Sequence, residues 1–95
     1  MRLQFEWSSS KATANLAKHR VSFDEGMSVF GDPIAKIFDD DKNFVRERRE
    51  IIIGHSAKFR LLVVCFVESE DKVRLISARK ATRHERTDYE ENTSS

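Results

Sequence analysis

The chain has 95 residues, 39% apolar and 35% charged, with a formal net charge of +1. That suffices for one domain with a modest core, and no apolar run is long enough to span a membrane. A single cysteine, Cys65, excludes an internal disulfide and a multi-cysteine zinc site; it sits in an apolar run, where a buried, inert thiol is expected. The small net charge hides an asymmetry. Residues 22–41 carry six acids against Lys36, whereas residues 72–86 carry six Lys/Arg against Glu85. The opening MRLQFEW has no signal-peptide apolar region, so a soluble, cytoplasmic protein is expected.

Leu3, Phe5 and Trp7 alternate with Arg2, Gln4 and Glu6, which predicts a half-buried strand at a sheet edge. Ser8, Ser9 and Ser10 offer N-caps for a helix to about Lys18, with Ala12, Leu16 and His19 as a thin apolar stripe. His19 is expected to pack and cap there. Ser22 and Glu25 form a capping box for a second helix, whose core-facing residues are Phe23, Met27 and Phe30. Gly31 is expected in the left-handed position after it, and Pro33 forbids continuation. Ile34–Phe38 alternates as a strand and runs into the polar loop Asp39–Asn43.

Arg48–His55 reads as the next strand. Ser56-Ala57-Lys58 is a hairpin connection to Phe59–Val67, which is apolar on both faces apart from Arg60 and should be central. After the turn Glu68–Asp71 comes a strand from Val73, with Val73, Leu75, Ser77 and Arg79 sharing parity. Thr82 and Glu85 form another capping box and open a final helix to Glu91; residues 92–95 read as a frayed tail. The expected fold is α+β, in the order β-α-α-β-β-β-β-α. Short connections make its consecutive strands an antiparallel meander, and the first two helices pack together on one face.

Six cations at a strand-to-helix turn repel one another and call for an anion, with RNA the natural candidate. No phosphate-cradling glycine loop is present, and the three histidines have no metal-ligand spacing, so no cofactor or metal is expected. The remaining groups suit metal-free cleavage of RNA: arginines to stabilise a phosphorane, and His, Glu or Tyr to move protons. Arg79, at the end of its strand, leads; otherwise it pairs with an acid of the last helix. Arg60 either reaches the same cleft or pairs with a carboxylate. His55 ends a strand, Glu85 is claimed by its capping box, and Tyr89 lies four residues after Glu85 on the same helix face. Arg74, Lys80, Arg83, Arg86 and Lys18 are candidate RNA-binding cations. A non-catalytic module that docks RNA or an acidic partner through residues 72–86 is the alternative. DNA binding through the last helix is disfavoured, because Asp88, Glu90 and Glu91 would face phosphates.

Several segments carry a resemblance: F-E-W at 5–7, K-A-x-x-N-x-x-K-H at 11–19, V-S-F-x-E at 21–25, F-x-D-P at 30–33, I-I-I-G, R-L-L-V-V, R-x-I-S-A-R-K-A-T at 74–82 and E-x-x-x-Y-E at 85–90. Taken in order over nearly the whole chain, they resemble the BrnT toxin family of type II toxin–antitoxin systems. Ser8-Ser9 departs from the Asp-Pro pair usual there. The resemblance implies a RelE-like single toxin domain over residues 1–95 and RNA cleavage that arrests translation. It implies a BrnA-like antitoxin in a 2:2 heterotetramer, which meets operator DNA only through the antitoxin, with no membrane partner. By analogy Arg79 and Arg60 stabilise the phosphorane, and His55, Glu85 or Tyr89 transfers protons.

Overall fold

The structure, a computed structural model, describes residues 4–40 and 48–93. The expected contribution of Leu3 to the first strand, the loop residues 41–43 and the tail residues 94–95 lie outside the described residues. The elements are β1 (Gln4–Glu6), α1 (Ser9–His19), α2 (Phe23–Ser28) followed by a 3-10 turn (Val29–Gly31), β2 (Lys36–Asp39), β3 (Glu50–His55), β4 (Leu61–Ser69), β5 (Lys72–Lys80) and α3 (Arg83–Thr93). This is the expected α+β order. The strands form one sheet in the order β1-β5-β4-β3-β2, so β4 is central.

β2 through β5 pair antiparallel; the short connections account for the β3–β4 and β4–β5 pairs, while β2 joins β3 through residues 40–49. β1 differs. It pairs parallel to β5, with Gln4 opposite Lys72 and Glu6 opposite Arg74. Two helices intervene between β1 and the meander, and this crossover returns the chain to the far edge in the parallel sense.

Each sheet face has its own cover. Leu62, Val64, Phe66, Val73, Leu75 and Ala78 face α1 and α2, where they meet Val21, Phe23 and Val29. Ile53, Leu61 and Val63 face the other way and receive Tyr89 from α3. Fully burying each such side chain is favourable by about 2 kcal/mol. The Thr82/Glu85 capping box forms in full, with backbone-to-side-chain bonds both ways. Of the Ser22/Glu25 box only the serine cap forms, Ser22 Oγ accepting from Glu25 N–H (3.0 Å), because the Glu25 carboxylate is taken by Arg60 and Ser56. α1 is held differently from its apolar stripe. Asn15 is buried, Leu16 is half exposed, and Arg20 closes the helix in the left-handed conformation in place of His19. Gly31 sits inside the 3-10 turn with no positive φ. α3 continues past Glu91 to Thr93.

One irregularity decides where the basic strand points. Cys65 lies opposite Ser77, but Phe66 lies opposite Leu75, so Ile76 is an extra residue in β5. The bulge reverses the alternation. Val73 and Leu75 face α1 and α2, whereas Ser77 and Arg79 face α3, a departure from the uniform parity of the sequence reading.

Candidate active site

α3 does not cover its whole sheet face, and a groove remains beside it. One compartment, about 570 Å³, lies between Asp39, Asp40 and Arg49 on one side and Ser77 and Arg79 on the other, over Cys65. A second, about 330 Å³, continues along α3 past Phe38, Ile53, Asp88 and Tyr89. Ile51, Val63, Arg79 and Glu85 line both, so Arg79 and Glu85 stand at their junction. Volumes of this order suit a nucleotide-sized ligand.

Arg79 is held rigidly. Its Nη1 and Nη2 donate to the two Glu85 oxygens, each at 2.8 Å, and Nη1 also reaches the Lys80 carbonyl at 3.3 Å. The end of the guanidinium fork is thereby occupied. Among the described residues nothing takes its side edge, made by Nε–H and the second Nη2 hydrogen, which leaves two donors for a planar or tetrahedral anion. Glu85 also accepts from Thr82 N–H at 2.8 Å. The Arg79 bond above all, with help from Thr82 and against burial, holds the Glu85 carboxyl down at about 2. Such a group stays ionised at neutral pH and is ill suited to carrying protons.

The second cluster centres on a residue missed in the sequence reading, Asp32. Its carboxylate accepts from His55 N–H (2.7 Å) and, through the turn before Pro33, from Ile34 N–H (3.1 Å). The Tyr89 hydroxyl donates to it at 3.4 Å, and His55 Nδ1 lies 3.6 Å away. Burial pushes Asp32 upward, but these hydrogen bonds and the nearby imidazole outweigh it and leave the carboxyl below its ordinary value. Burial, aided by the Asp32 charge, pushes Tyr89 up, so its phenol remains a donor. His55 stacks edge-on against Tyr89, ring centroids 5.6 Å apart, with its imidazole partly open to solvent. The signals for Asp32 were present: an Asp-Pro turn, and Gly54 in I-I-I-G. A Cβ at Gly54 would lie 2.9 Å from the Asp32 carboxylate, so the glycine makes room for it.

Four of the five candidate catalytic residues thus gather on the α3 side. Arg79, Glu85 and Tyr89 line the groove, and His55 abuts Tyr89. Arg60 is placed elsewhere. It precedes β4 and turns to the other face, where Nε and Nη2 clamp the buried Glu25 and Nη2 reaches the Arg20 carbonyl. Ser56 Oγ adds a third bond to Glu25, whose carboxyl is lowered chiefly by Arg60. Among the RNA-binding candidates, Lys80, Arg83 and Arg86 are exposed around the start of α3. Arg74 is half buried and opposite Glu6 in register; Lys18 is exposed on α1, across the sheet from the groove. Cys65 lines the groove floor, but burial and the Asp40 charge push its thiol up to about 11, which keeps it protonated and un-nucleophilic. Among the described residues no group of three or more His, Cys, Asp or Glu is arranged to hold a metal ion, and no helix is long and apolar enough to cross a membrane.

Comparison with known proteins bears on this groove. A search of curated proteins finds no match. Among solved structures the chain is similar to the Brucella abortus ribonuclease toxin BrnT, solved at 1.1 Å resolution. The TM-score is 0.65 with 23% sequence identity, over 85% of this chain and 99% of that one, a likeness of fold. The family model described as "Ribonuclease toxin, BrnT, of type II toxin-antitoxin system" matches residues 7–85. That span runs from Trp7 through Glu85 and so takes in strands β2 to β5, the Asp32 turn and the Arg79–Glu85 pair: the chain belongs to the BrnT family of ribonuclease toxins of type II toxin–antitoxin systems.

Proposed function

We propose that the chain, as one toxin domain, is a metal-independent endoribonuclease that works in the groove beside α3. The observation that carries this reading is the Arg79–Glu85 pair. It fixes a guanidinium at the groove junction and leaves the side edge open, within one cavity of Tyr89. The reaction is attack of a ribose 2′-oxygen on the adjacent phosphorus, with loss of the 5′-oxygen. It leaves a 2′,3′-cyclic phosphate and a 5′-hydroxyl. The free edge of Arg79 stabilises the charge of the pentacoordinate phosphorus. His55, with Nδ1 turned to Asp32, keeps Nε2 for moving the proton, and the Tyr89 hydroxyl helps hold the Asp32 carboxylate. Glu85 orients Arg79 and does not transfer protons. Arg83 and Arg86 guide the strand toward the groove; Arg74, Lys18 and Lys80, whose register partner Leu62 faces α1 and α2, add positive charge farther from it. Arg60 has a structural task, because its Nε and Nη2 clamp the buried Glu25 and reach the Arg20 carbonyl on the opposite face of the sheet.

Cleavage of cytoplasmic RNA by this groove inhibits translation. A BrnA-like antitoxin neutralises it by covering the groove, in a complex of two toxins and two antitoxins that contacts operator DNA through the antitoxin alone. The test is incubation of the purified chain with RNA in EDTA, beside Arg79→Ala and beside chain premixed with antitoxin. Expected is cleavage that survives EDTA, carries cyclic-phosphate ends, falls on the order of a hundredfold with Arg79→Ala and vanishes with antitoxin. RNA that is bound but left intact, with and without translating ribosomes, replaces this reading with that of a non-catalytic binding module.

A further inference from the structure

The turn between β3 and β4 breaks a local rule. Ser56 N–H donates to the Arg60 carbonyl and Phe59 N–H to the Ser56 carbonyl, each at 2.9 Å. In a three-residue hairpin loop of this kind the last position is left-handed and suits glycine. Here it is phenylalanine, with φ 63°. A bulky side chain at that φ is strained. Packing does not offset the strain, since Phe59 is 89% exposed. Where a sequence breaks a local preference and the fold gains nothing in return, a functional demand is the physical reading.

The surroundings say which demand. The turn sits at the end of the sheet where β5 leaves for α3. His55 lies opposite Leu61, Leu62 opposite Lys80, and Ala81 N–H bonds the Leu61 carbonyl. Arg60 ties the same turn to Arg20 at the end of α1. Arg20, Lys58, Lys80 and Arg83 are therefore exposed cations at one end of the molecule. The neighbouring acids Glu25 and Glu85 are already occupied by Arg60 and Arg79, and Asp24 lines a separate hollow with Trp7 and Thr13. His55 immediately precedes the turn. Exposed aromatics among cations hold single strands in a known physical manner: the backbone follows the charges while a base stacks on the ring.

We propose that Phe59 is a stacking platform for an unpaired base of the RNA substrate, with Arg20, Lys58, Lys80 and Arg83 holding the phosphates around it. The proposal rests on the ribonuclease reading above and adds the form of the substrate, a single-stranded segment next to the cleaved bond.

The experiment compares the full wild-type chain with Phe59→Gly and Phe59→Trp. Three quantities are read: melting temperature, affinity for a single-stranded 2′-O-methyl RNA that cannot be cleaved, and cleavage of the unmodified RNA. Phe59→Gly is expected to melt no lower than wild type, because it relieves the strained φ, yet to bind about tenfold more weakly. Phe59→Trp is expected to bind at least as tightly as wild type. If wild type cleaves RNA and Phe59→Gly matches it in affinity and rate, stacking is overturned while the ribonuclease reading stands. A lower melting temperature with unchanged affinity overturns it too and makes the residue structural. Loss of antitoxin binding with RNA affinity intact assigns Phe59 to the antitoxin instead. A folded wild type that neither binds nor cuts RNA removes both readings.

Discussion

Asn15 and Ala78, 63 residues apart, exchange two hydrogen bonds: the amide Nδ2 donates to the Ala78 carbonyl at 2.8 Å, and Ala78 N–H donates to Oδ1 at 3.1 Å. The same Nδ2 reaches the Val21 carbonyl at 2.9 Å. One buried side chain therefore bolts α1 and the α1–α2 connection to the strand residue that precedes Arg79. Asn15→Ala leaves these backbone groups without their partner in a dry site. We expect a loss of about 3 kcal/mol in urea unfolding, larger than for any exposed position of α1. A loss below about 1 kcal/mol would mean that water replaces the amide.

The Arg79–Glu85 pair sets an acid limit. The ordinary Glu value is 4.5 and the folded one about 2. A carboxyl lowered on folding stabilises the fold above its unfolded value, and that contribution is lost as pH falls through the folded one. Wild type should therefore exceed Glu85→Gln in stability at neutral pH, and the gap should close between about 4.5 and about 2. Parallel stability curves across that window would show that the pair adds nothing beyond the cap.

Arg60 and Arg79 should separate cleanly. Glu25 is buried and Arg60 neutralises it, so Arg60→Ala strands a charge and should cost about 3–5 kcal/mol. Cleavage per folded molecule should fall less than tenfold, on the order set by small shifts of the turn. Arg79→Lys should do the reverse: it keeps the charge but loses the fork, so cleavage should drop on the order of a hundredfold with little change in melting. Equal catalytic losses in the two variants would return Arg60 to the active site.

Gly54→Ala tests the packing behind Asp32. The added Cβ would come within 2.8 Å of Ala35 Cβ, 2.9 Å of the Asp32 carboxylate and 3.1 Å of Val29 Cγ1. Overpacking of this kind costs about 1–3 kcal/mol. Because the carboxylate must move, cleavage should fall along with stability, and Ile52→Val, a buried β3 neighbour that lines neither compartment, should lower stability only. A Gly54→Ala chain as active as wild type would remove Asp32 from the site.

Much of the fold could be read along the chain because its signals are local. The pairs Ser22/Glu25 and Thr82/Glu85 name their own helices, and Phe59–Val67 reads as central because both of its faces are apolar. What escaped depends on contacts between distant segments. The bulge at Ile76 has no composition signature, yet it decides which face Arg79 occupies. The partner of Arg60 is 35 residues away on α2, and Asp32 becomes a site residue only when β3 and α3 close on it. The groove residues were legible as residue types at strand and helix ends; their partners were not.

The parallel pairing of β1 with β5 has a kinetic side. The earliest strand of the sheet has as its described neighbour the latest one, with Gln4 opposite Lys72. At ordinary synthesis rates that partner emerges several seconds later, roughly 3–14 s. Until then the sheet lacks the strand that carries Arg79, and the groove lacks α3. The high sequence separation of this contact also slows closure once the strand arrives. Assembly of the groove therefore waits for residues 72–93, the last of its parts to be made.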